Sequence, residues 1–174
     1  CLLLFENLKL SKCFKYLKDL DDKTYCGFEH PFIQIDDYKI SSDKIISLFD
    51  FEKINAFYNL NEKNKVLEIG AGSGRLCECI LSIIPNINYT ICDIPPSIYV
   101  AYERMKFRFP QKKIKLLIDI NNSKELTEEI EKNDISFIFP HQVEIIKKKI
   151  FDLGIAIDCF HEMDKKTLKY YFDN

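Results

Sequence analysis

The chain has 174 residues, 47% of them hydrophobic, and a formal net charge of -2 at pH 7. This length and composition suit one domain with a sizeable buried core. The nearly balanced charge excludes the strongly basic surface typical of nucleic-acid-binding domains, so we expect no nucleic-acid partner. No segment has the roughly 18 apolar residues of a membrane span, and residues 2–5 lack a signal-peptide cleavage site, so we expect a cytoplasmic protein with no membrane span.

The seven cysteines are odd in number and lack the spacing of a disulfide framework or a zinc site. We therefore predict free, mostly buried thiols and assign no metal. The chain begins at Cys1 and stops within a polar helical pattern, so we expect it to be part of a longer protein.

Residues 1–60 are predicted to form N-terminal helices and an aromatic loop that pack on the core. Apolar residues at helical spacing predict an amphipathic helix over residues 8–20. An irregular aromatic segment follows at residues 25–32, which either covers the core or caps a substrate pocket. Ser41 then precedes a helical pattern that runs to about Leu60, with a serine as its predicted cap.

The most informative segment is residues 65–76, KVLEIGAGSGRL. A short apolar run predicts a buried strand, Gly70, Gly72 and Gly74 predict a tight loop, and apolar residues at helical spacing then continue to Pro85. A second predicted strand follows at residues 89–92. Strand, crossover helix and strand form a right-handed βαβ unit whose ligand is expected beyond the carboxyl ends of the strands. Residues 61–174 are therefore predicted to form a Rossmann-like α/β domain with a doubly wound, mostly parallel sheet.

The spacing E-x-G-x-G-x-G differs from the G-x-G-x-x-G of dinucleotide-binding loops. Glu68 would repel a pyrophosphate but suits a ligand that carries an amine and a carboxylate. Asp93 ends the second strand, where a carboxylate can accept hydrogen bonds from both hydroxyls of a ribose. Alternatively, Asp93 caps the helix that begins near Pro95. Because a nicotinamide cofactor also contains ribose, Asp93 does not separate methyl transfer from hydride transfer.

Two segments compete for the third strand of this sheet. Residues 113–118 end at Asp119, and residues 135–139 end at Pro140, with an amphipathic helix predicted between them over residues 123–132. We favour the second segment as the strand beside the cofactor. His141 or Gln142 would then hydrogen-bond the adenine, with Asp119 as the alternative partner and an ordinary loop role open for His141.

The predicted strand at residues 151–157 delivers His161 and Glu162 to the carboxyl edge of the sheet. A histidine, with an ordinary pKa of about 6.5, suits a general base that removes the proton of an acceptor hydroxyl. Glu162 can orient it, bind the acceptor or help to hold a divalent metal. Alternatively, the two residues form the polar start of a helix over residues 164–172. The H-E-x-x-H spacing of a metal site is missing.

The glycine loop resembles the first motif of class I S-adenosylmethionine-dependent methyltransferases. Residues 26–172 also resemble the sugar O-methyltransferases of bacterial surface-polysaccharide gene clusters. The resemblance is carried, in the same order, by a D-x-P-P segment at Asp93, a P-H-Q segment at Pro140 and an H-E-M segment at His161. That family continues beyond this chain, so we expect further C-terminal strands to be missing.

The resemblance implies an S-adenosylmethionine-dependent enzyme that methylates a sugar hydroxyl, with a sugar or glycan as its acceptor. It implies His161 and Glu162 as the catalytic residues. The implied cofactor-binding residues are Glu68, Gly70, Gly72, Gly74, Asp93, Ile94, His141 and Gln142. An NAD-dependent oxidoreductase and a non-catalytic Rossmann-like binding module are the alternatives.

Overall fold

A computed structural model describes residues 1–20, 32–146 and 149–173. Most of the predicted aromatic loop, residues 25–31, lies outside the described residues. The chain divides into two compact units, one formed by Cys1–Asn61 and Arg75–Pro85 and the other by Glu62–Gly74 and Asn86–Asn174. Within the described residues, none of the helices combines the length and apolarity that a membrane crossing requires.

The first unit is helical, with one small hairpin. Its helices are α1 (Leu2–Lys9), α2 (Ser42–Tyr58) and α3 (Arg75–Ile83), its 3-10 helix is Lys12–Lys18, and its antiparallel strands are β1 (Ile33–Ile35) and β2 (Tyr38–Ile40). The predicted single helix over residues 8–20 is wrong. The chain breaks at Ser11, whose hydroxyl accepts a hydrogen bond from the Cys13 N–H and begins the separate 3-10 helix.

The two long helices of this unit agree with the sequence pattern. The Ser41 hydroxyl accepts a hydrogen bond from the Lys44 N–H and caps α2, which ends at Asn59 in the left-handed conformation. The α3 helix ends at Ile83, before Pro85, as predicted. Its first residue, Arg75, donates one hydrogen bond to Ser47 and forms a half-buried ion pair of 2.9 Å with Asp50, so it joins α3 to α2.

The second unit contains a five-stranded parallel sheet. Its strands are β3 (Lys65–Ile69), β4 (Asn88–Cys92), β5 (Ile114–Leu116), β6 (Ile135–Ile138) and β7 (Leu153–Ala156), in the order β5-β6-β4-β3-β7. Its helices are α4 (Ser97–Arg108), α5 (Ser123–Lys132) and α6 (Lys165–Asp173). Of the two segments that compete for the third strand, residues 135–139 contain β6, which pairs with β4, whereas β5 lies at the edge.

Helices cover both faces of this sheet. On one face, Tyr102 of α4 packs edge-on against Phe137 of β6, with ring centroids 5.4 Å apart. On the other face, Leu126 and Ile130 of α5 belong to the same buried cluster as Cys92 of β4. The predicted doubly wound Rossmann-like α/β fold is therefore present.

The amino ends of the strands are joined by side chains that bond to the main chain. Asp152 accepts a hydrogen bond of 2.8 Å from the Lys65 N–H, and Asp134 accepts one of 2.8 Å from the Lys113 N–H. The Asn88 amide donates to the carbonyls of Ile130 and Asn133. These bonds satisfy main-chain groups where each strand begins and fix the amino edge of the sheet.

The opposite, carboxyl edge carries the loops that the sequence singles out. From β3 the chain proceeds to β4, β5 and β6, which all lie on one side of β3, and β7 lies on the other side. Strand order therefore reverses between β3 and β7, and a crevice outside the carboxyl ends at such a reversal is where ligands bind in open α/β sheets.

Candidate functional site at the carboxyl edge

The glycine loop follows β3 with three residues in the left-handed region, Gly70 at φ 71°, Gly72 at φ 58° and Gly74 at φ 77°. The surroundings of the three glycines differ. A Cβ at Gly70 would lie 2.5 Å from the Cβ of Cys159, and a Cβ at Gly74 would lie 3.3 Å from that of Ala101. At Gly72 no described atom beyond its chain neighbours lies within 4 Å of that position. Gly72 is therefore the glycine whose α-carbon faces open space.

Asp93 joins the glycine loop to the end of β4. One carboxylate oxygen accepts a hydrogen bond of 2.7 Å from the Gly72 N–H, and the other accepts one of 2.7 Å from the Ile94 N–H. The side chain does not cap α4, which begins after Pro96 without a side-chain cap. Burial raises the pKa of Asp93, and the two N–H bonds counteract part of that effect. A carboxylate with two N–H bonds still has lone pairs for ligand hydroxyls.

Glu68 is buried within the second unit. It lies on β3 beside Val66, and its carboxylate accepts a hydrogen bond of 2.9 Å from the Tyr89 hydroxyl of β4. Only 4% of Glu68 is exposed, so its carboxyl group lies within the protein. A direct contact between this carboxylate and a ligand amine, as the sequence suggests, remains a prediction.

The turn after β6 is fixed by Gln142. Residues Pro140–Ile145 form a 3-10 helix, in agreement with the predicted short helical connection. The Gln142 amide donates to the carbonyls of Leu117 and Ile120, and its oxygen accepts from the Phe139 N–H. Both amide hydrogens are therefore used by the main chain, and Gln142 is fully buried.

His141 is exposed in the same turn. Its ring stacks on that of Phe139, with centroids 5.9 Å apart and planes at 12°, and the Tyr99 ring of α4 lies edge-on to Phe139 with centroids 6.5 Å apart. Ile94, 60% exposed, follows Asp93 on the adjacent strand end. Aromatic and aliphatic side chains thus stand at the ends of two neighbouring strands, and Asp119 is exposed at the end of the edge strand beyond them.

The segment after β7 carries the predicted catalytic pair. His161 and Glu162 lie in a 3-10 turn, Phe160–Glu162, with His161 Nε2 3.8 Å from Glu162 Oε1. Their side chains are 69% and 76% exposed. They precede α6 but do not form its start, because Asp164 accepts the hydrogen bond from the Thr167 N–H at that helix end.

Cys159 connects this segment to β3. Its thiol donates a hydrogen bond of 3.1 Å to the Ile69 carbonyl. Burial raises the pKa of Cys159, and the negative charge of Asp93 raises it further, so the thiol keeps its proton at neutral pH. Sequence reasoning did not select Cys159; the available signal was its position two residues before His161 and just after a predicted strand.

The α6 helix supports the turn after β6. The Tyr170 hydroxyl donates to the Pro140 carbonyl at 2.9 Å and accepts from the Glu144 N–H at 3.3 Å. Tyr171 hydrogen-bonds Cys92, whose pKa is raised by burial to about 12. These tyrosines were also missed, since nothing in their local pattern distinguishes them from core aromatics.

The residues brought together offer a hydrogen-bond acceptor and apolar surface to a ligand. A carboxylate for hydroxyl groups, an open glycine and exposed apolar side chains all lie at carboxyl ends of β3, β4 and β6. Among the residues that the structure describes, no three His, Cys, Asp or Glu side chains come together as a group that could hold a metal ion.

The fold and this edge define a Rossmann-like α/β protein with a glycine-loop site at the point where strand order reverses. No protein-family model and no curated protein sequence matches the chain. Among solved structures, it is similar to that of the pyocyanin biosynthetic protein PhzM, with a TM-score of 0.45 and 14% identity over 98% of this chain and 41% of that chain. The chain thus spans about two fifths of that protein's length, and a likeness at this level carries nothing about ligand or reaction.

Proposed function

We propose that this chain binds S-adenosylmethionine and belongs to an O-methyltransferase whose acceptor is a sugar hydroxyl. The observation that supports the cofactor best is the Asp93 carboxylate, which accepts the Gly72 N–H beside the open α-carbon of Gly72. A ribose placed there meets a carboxylate with free lone pairs, and a ligand chain can lie directly against the glycine.

The adenine would lie toward the turn after β6. Ile94, Tyr99 and Phe139 offer apolar contact, and His141 offers ring nitrogens in an exposed position. Because both hydrogens of the Gln142 amide are donated to main-chain carbonyls, we assign the adenine contact to His141 and give Gln142 the task of fixing the turn. Asp119 lies at the end of the edge strand, one strand farther from Asp93.

The bound cofactor would supply an electrophilic methyl group on a sulfonium sulfur. His161 would accept the proton of the acceptor hydroxyl as its oxygen is methylated. Glu162, 3.8 Å from His161, holds the ring or a neighbouring sugar hydroxyl. The chain's main contribution is to position the acceptor and accept the proton.

The sugar acceptor rests on the resemblance of the D-x-P-P, P-H-Q and H-E-M segments. An NAD-dependent oxidoreductase is disfavoured by the E-x-G-x-G-x-G spacing, because the loop departs from the dinucleotide pattern. A non-catalytic binding module would keep the cofactor site without turnover.

Calorimetric titration with S-adenosylhomocysteine, with NAD in parallel, tests the cofactor. We expect micromolar binding of S-adenosylhomocysteine, none of NAD, and loss of binding in Asp93→Ala. Asp152→Ala is the matched control, because it also removes a carboxylate that accepts a main-chain N–H but at the opposite edge of the sheet. Absence of binding by a chain with a cooperative thermal transition would refute the proposal, and equal loss in both variants would refute the role of Asp93.

The acceptor is tested separately with labelled S-adenosylmethionine and a panel of sugars and nucleotide sugars. Methyl transfer to a sugar that is lost in His161→Ala, with binding of S-adenosylhomocysteine unchanged, is the expected result. Binding without transfer to any member of the panel would favour the binding module.

A further inference from the structure

Cys159 joins two parts of the site that lie about 90 residues apart in the chain. The last pair of the β3 and β7 ladder is Ile69 with Ala156, after which the two chains separate. Asp158 then adopts φ 53°, a left-handed conformation that aspartate tolerates better than most residues. The chain turns there, and the side chain of Cys159 contacts Gly70.

Cys159 packs closely against Gly70 and forms hydrogen bonds through both its thiol and its carbonyl. The thiol donates to the Ile69 carbonyl at 3.1 Å, and both Cβ and Sγ of Cys159 lie within 3 Å of where a Gly70 Cβ would stand. The Cys159 carbonyl accepts the Glu162 N–H at 3.2 Å and closes the 3-10 turn that carries His161. Gly70 is held from the other side, where its N–H donates to the Cys92 carbonyl at 2.9 Å.

We propose that Cys159 is a positioning residue, which sets the place of the His161 turn relative to the glycine loop. The inference rests on the proposed function, because the two parts it joins are the cofactor loop and the turn with the proposed base. Cys159 acts through its thiol bond to the end of β3 and its carbonyl bond to the turn. The Cβ of Cys159 also explains why position 70 is glycine, since a Cβ at position 70 would collide with it.

Hydrogen–deuterium exchange of the whole chain tests the connection without any cofactor. In Cys159→Ala we expect faster exchange both in residues 67–74 and in residues 158–164, because the thiol bond that joins them is gone. Cys159→Ser restores a hydroxyl donor and should return both segments toward the parent rates. Cys79→Ala, which removes another buried thiol in the first unit, should leave both segments unchanged.

Titration with S-adenosylhomocysteine tests the consequence for the site. Removal of one net hydrogen bond shifts the equilibrium between the ordered and the displaced loop by up to about tenfold. Because apparent affinity falls with the populated fraction of the ordered loop, we expect up to about tenfold weaker binding in Cys159→Ala, recovery in Cys159→Ser and no change in Cys79→Ala. Thermal unfolding of all three variants identifies any that fail to fold, and the serine variant then carries the comparison.

The outcomes separate the two proposals. Unchanged exchange in Cys159→Ala would overturn the connection whatever the cofactor is. Changed exchange with unchanged affinity would overturn the positioning role while the cofactor site stands. No binding by the folded parent would overturn the proposed function and, with it, the role of Cys159 in positioning a base, even if the exchange rates reveal the connection.

Discussion

Two alanine substitutions in the glycine loop should separate the loss of stability from the loss of binding. Gly70 and Gly72 both have positive φ, so an alanine at either position costs about 1–2 kcal/mol of backbone strain. The reduced freedom of the unfolded chain offsets about 0.4–1 kcal/mol of that cost. At Gly72 nothing described beyond the chain neighbours lies within 4 Å of the new Cβ, so we expect Gly72→Ala to destabilise the protein by only about 1 kcal/mol.

At Gly70 the new Cβ would lie 2.5 Å from Cys159 Cβ, and overpacking of that kind costs about 1–3 kcal/mol more. Gly70→Ala should therefore lose about 2–4 kcal/mol in total. In a chain of this size each kcal/mol lowers Tm by about 2–4 °C, so the two variants should be clearly separated in a thermal melt.

Binding should follow a different order, because the Gly72 Cβ would enter the space that we assign to the cofactor. We expect Gly72→Ala to keep most of its stability and lose S-adenosylhomocysteine binding in calorimetry. Parental affinity in Gly72→Ala would refute the placement of the cofactor against this glycine. Equal Tm values for the two variants would refute the close contact between Gly70 and Cys159.

Three further outcomes follow from burial and charge. In chemical denaturation, Gln142→Ala should lower the free energy of unfolding by about 3 kcal/mol or more, because it leaves buried main-chain partners unsatisfied. Substitution of the exposed His141 by alanine should change it by less than about 0.5 kcal/mol yet weaken S-adenosylhomocysteine binding, and the reverse pattern would contradict our assignment. Burial raises the pKa of Asp93 above its ordinary 3.8, so the protein should become more stable as the pH falls through the raised pKa and Asp93 takes up a proton. In calorimetry, S-adenosylhomocysteine affinity should fall over the same pH window, and a pH-independent affinity there would speak against carboxylate binding of ribose. After iodoacetamide treatment of the native chain, mass spectrometry should find Cys1 alkylated and Cys92 unmodified until the protein is unfolded. Cys92 is buried, which raises its pKa to about 12, and rapid labelling of Cys92 would contradict this.

Local pattern predicted those parts of the fold that depend on neighbours in sequence. The β3 strand, the glycine loop and the placement of Asp93 at the end of β4 all follow from apolar runs and glycine spacing. The choice of β6 as the strand beside β4 followed from the length of the connection to β7. The β1–β2 hairpin was missed, because strands of three residues carry too little alternation to recognise.

The details of the site depended on long-range contacts that no local pattern contains. Glu68 lies on a sheet face and bonds to Tyr89, which is 21 residues away. The Gln142 amide donates hydrogen bonds to the carbonyls of Leu117 and Ile120, which follow a different strand. The pattern gives residue type and strand position, but it does not give the partner of a polar side chain, and the partner decides whether that side chain serves a ligand or the fold.

The amino edge of the sheet has a consequence for how this protein can change. Asp152, Asp134 and Asn88 tie strand ends together at the edge opposite the loops. Substitutions at well-separated positions contribute almost independently to stability. Substitution of exposed residues in the loops that follow β6 and β7 therefore leaves the bonds at the amino edge intact, and a library that keeps Gln142 and Cys159 should yield folded variants with altered ligands. The sheet is in this sense a fixed base on which new specificities can evolve.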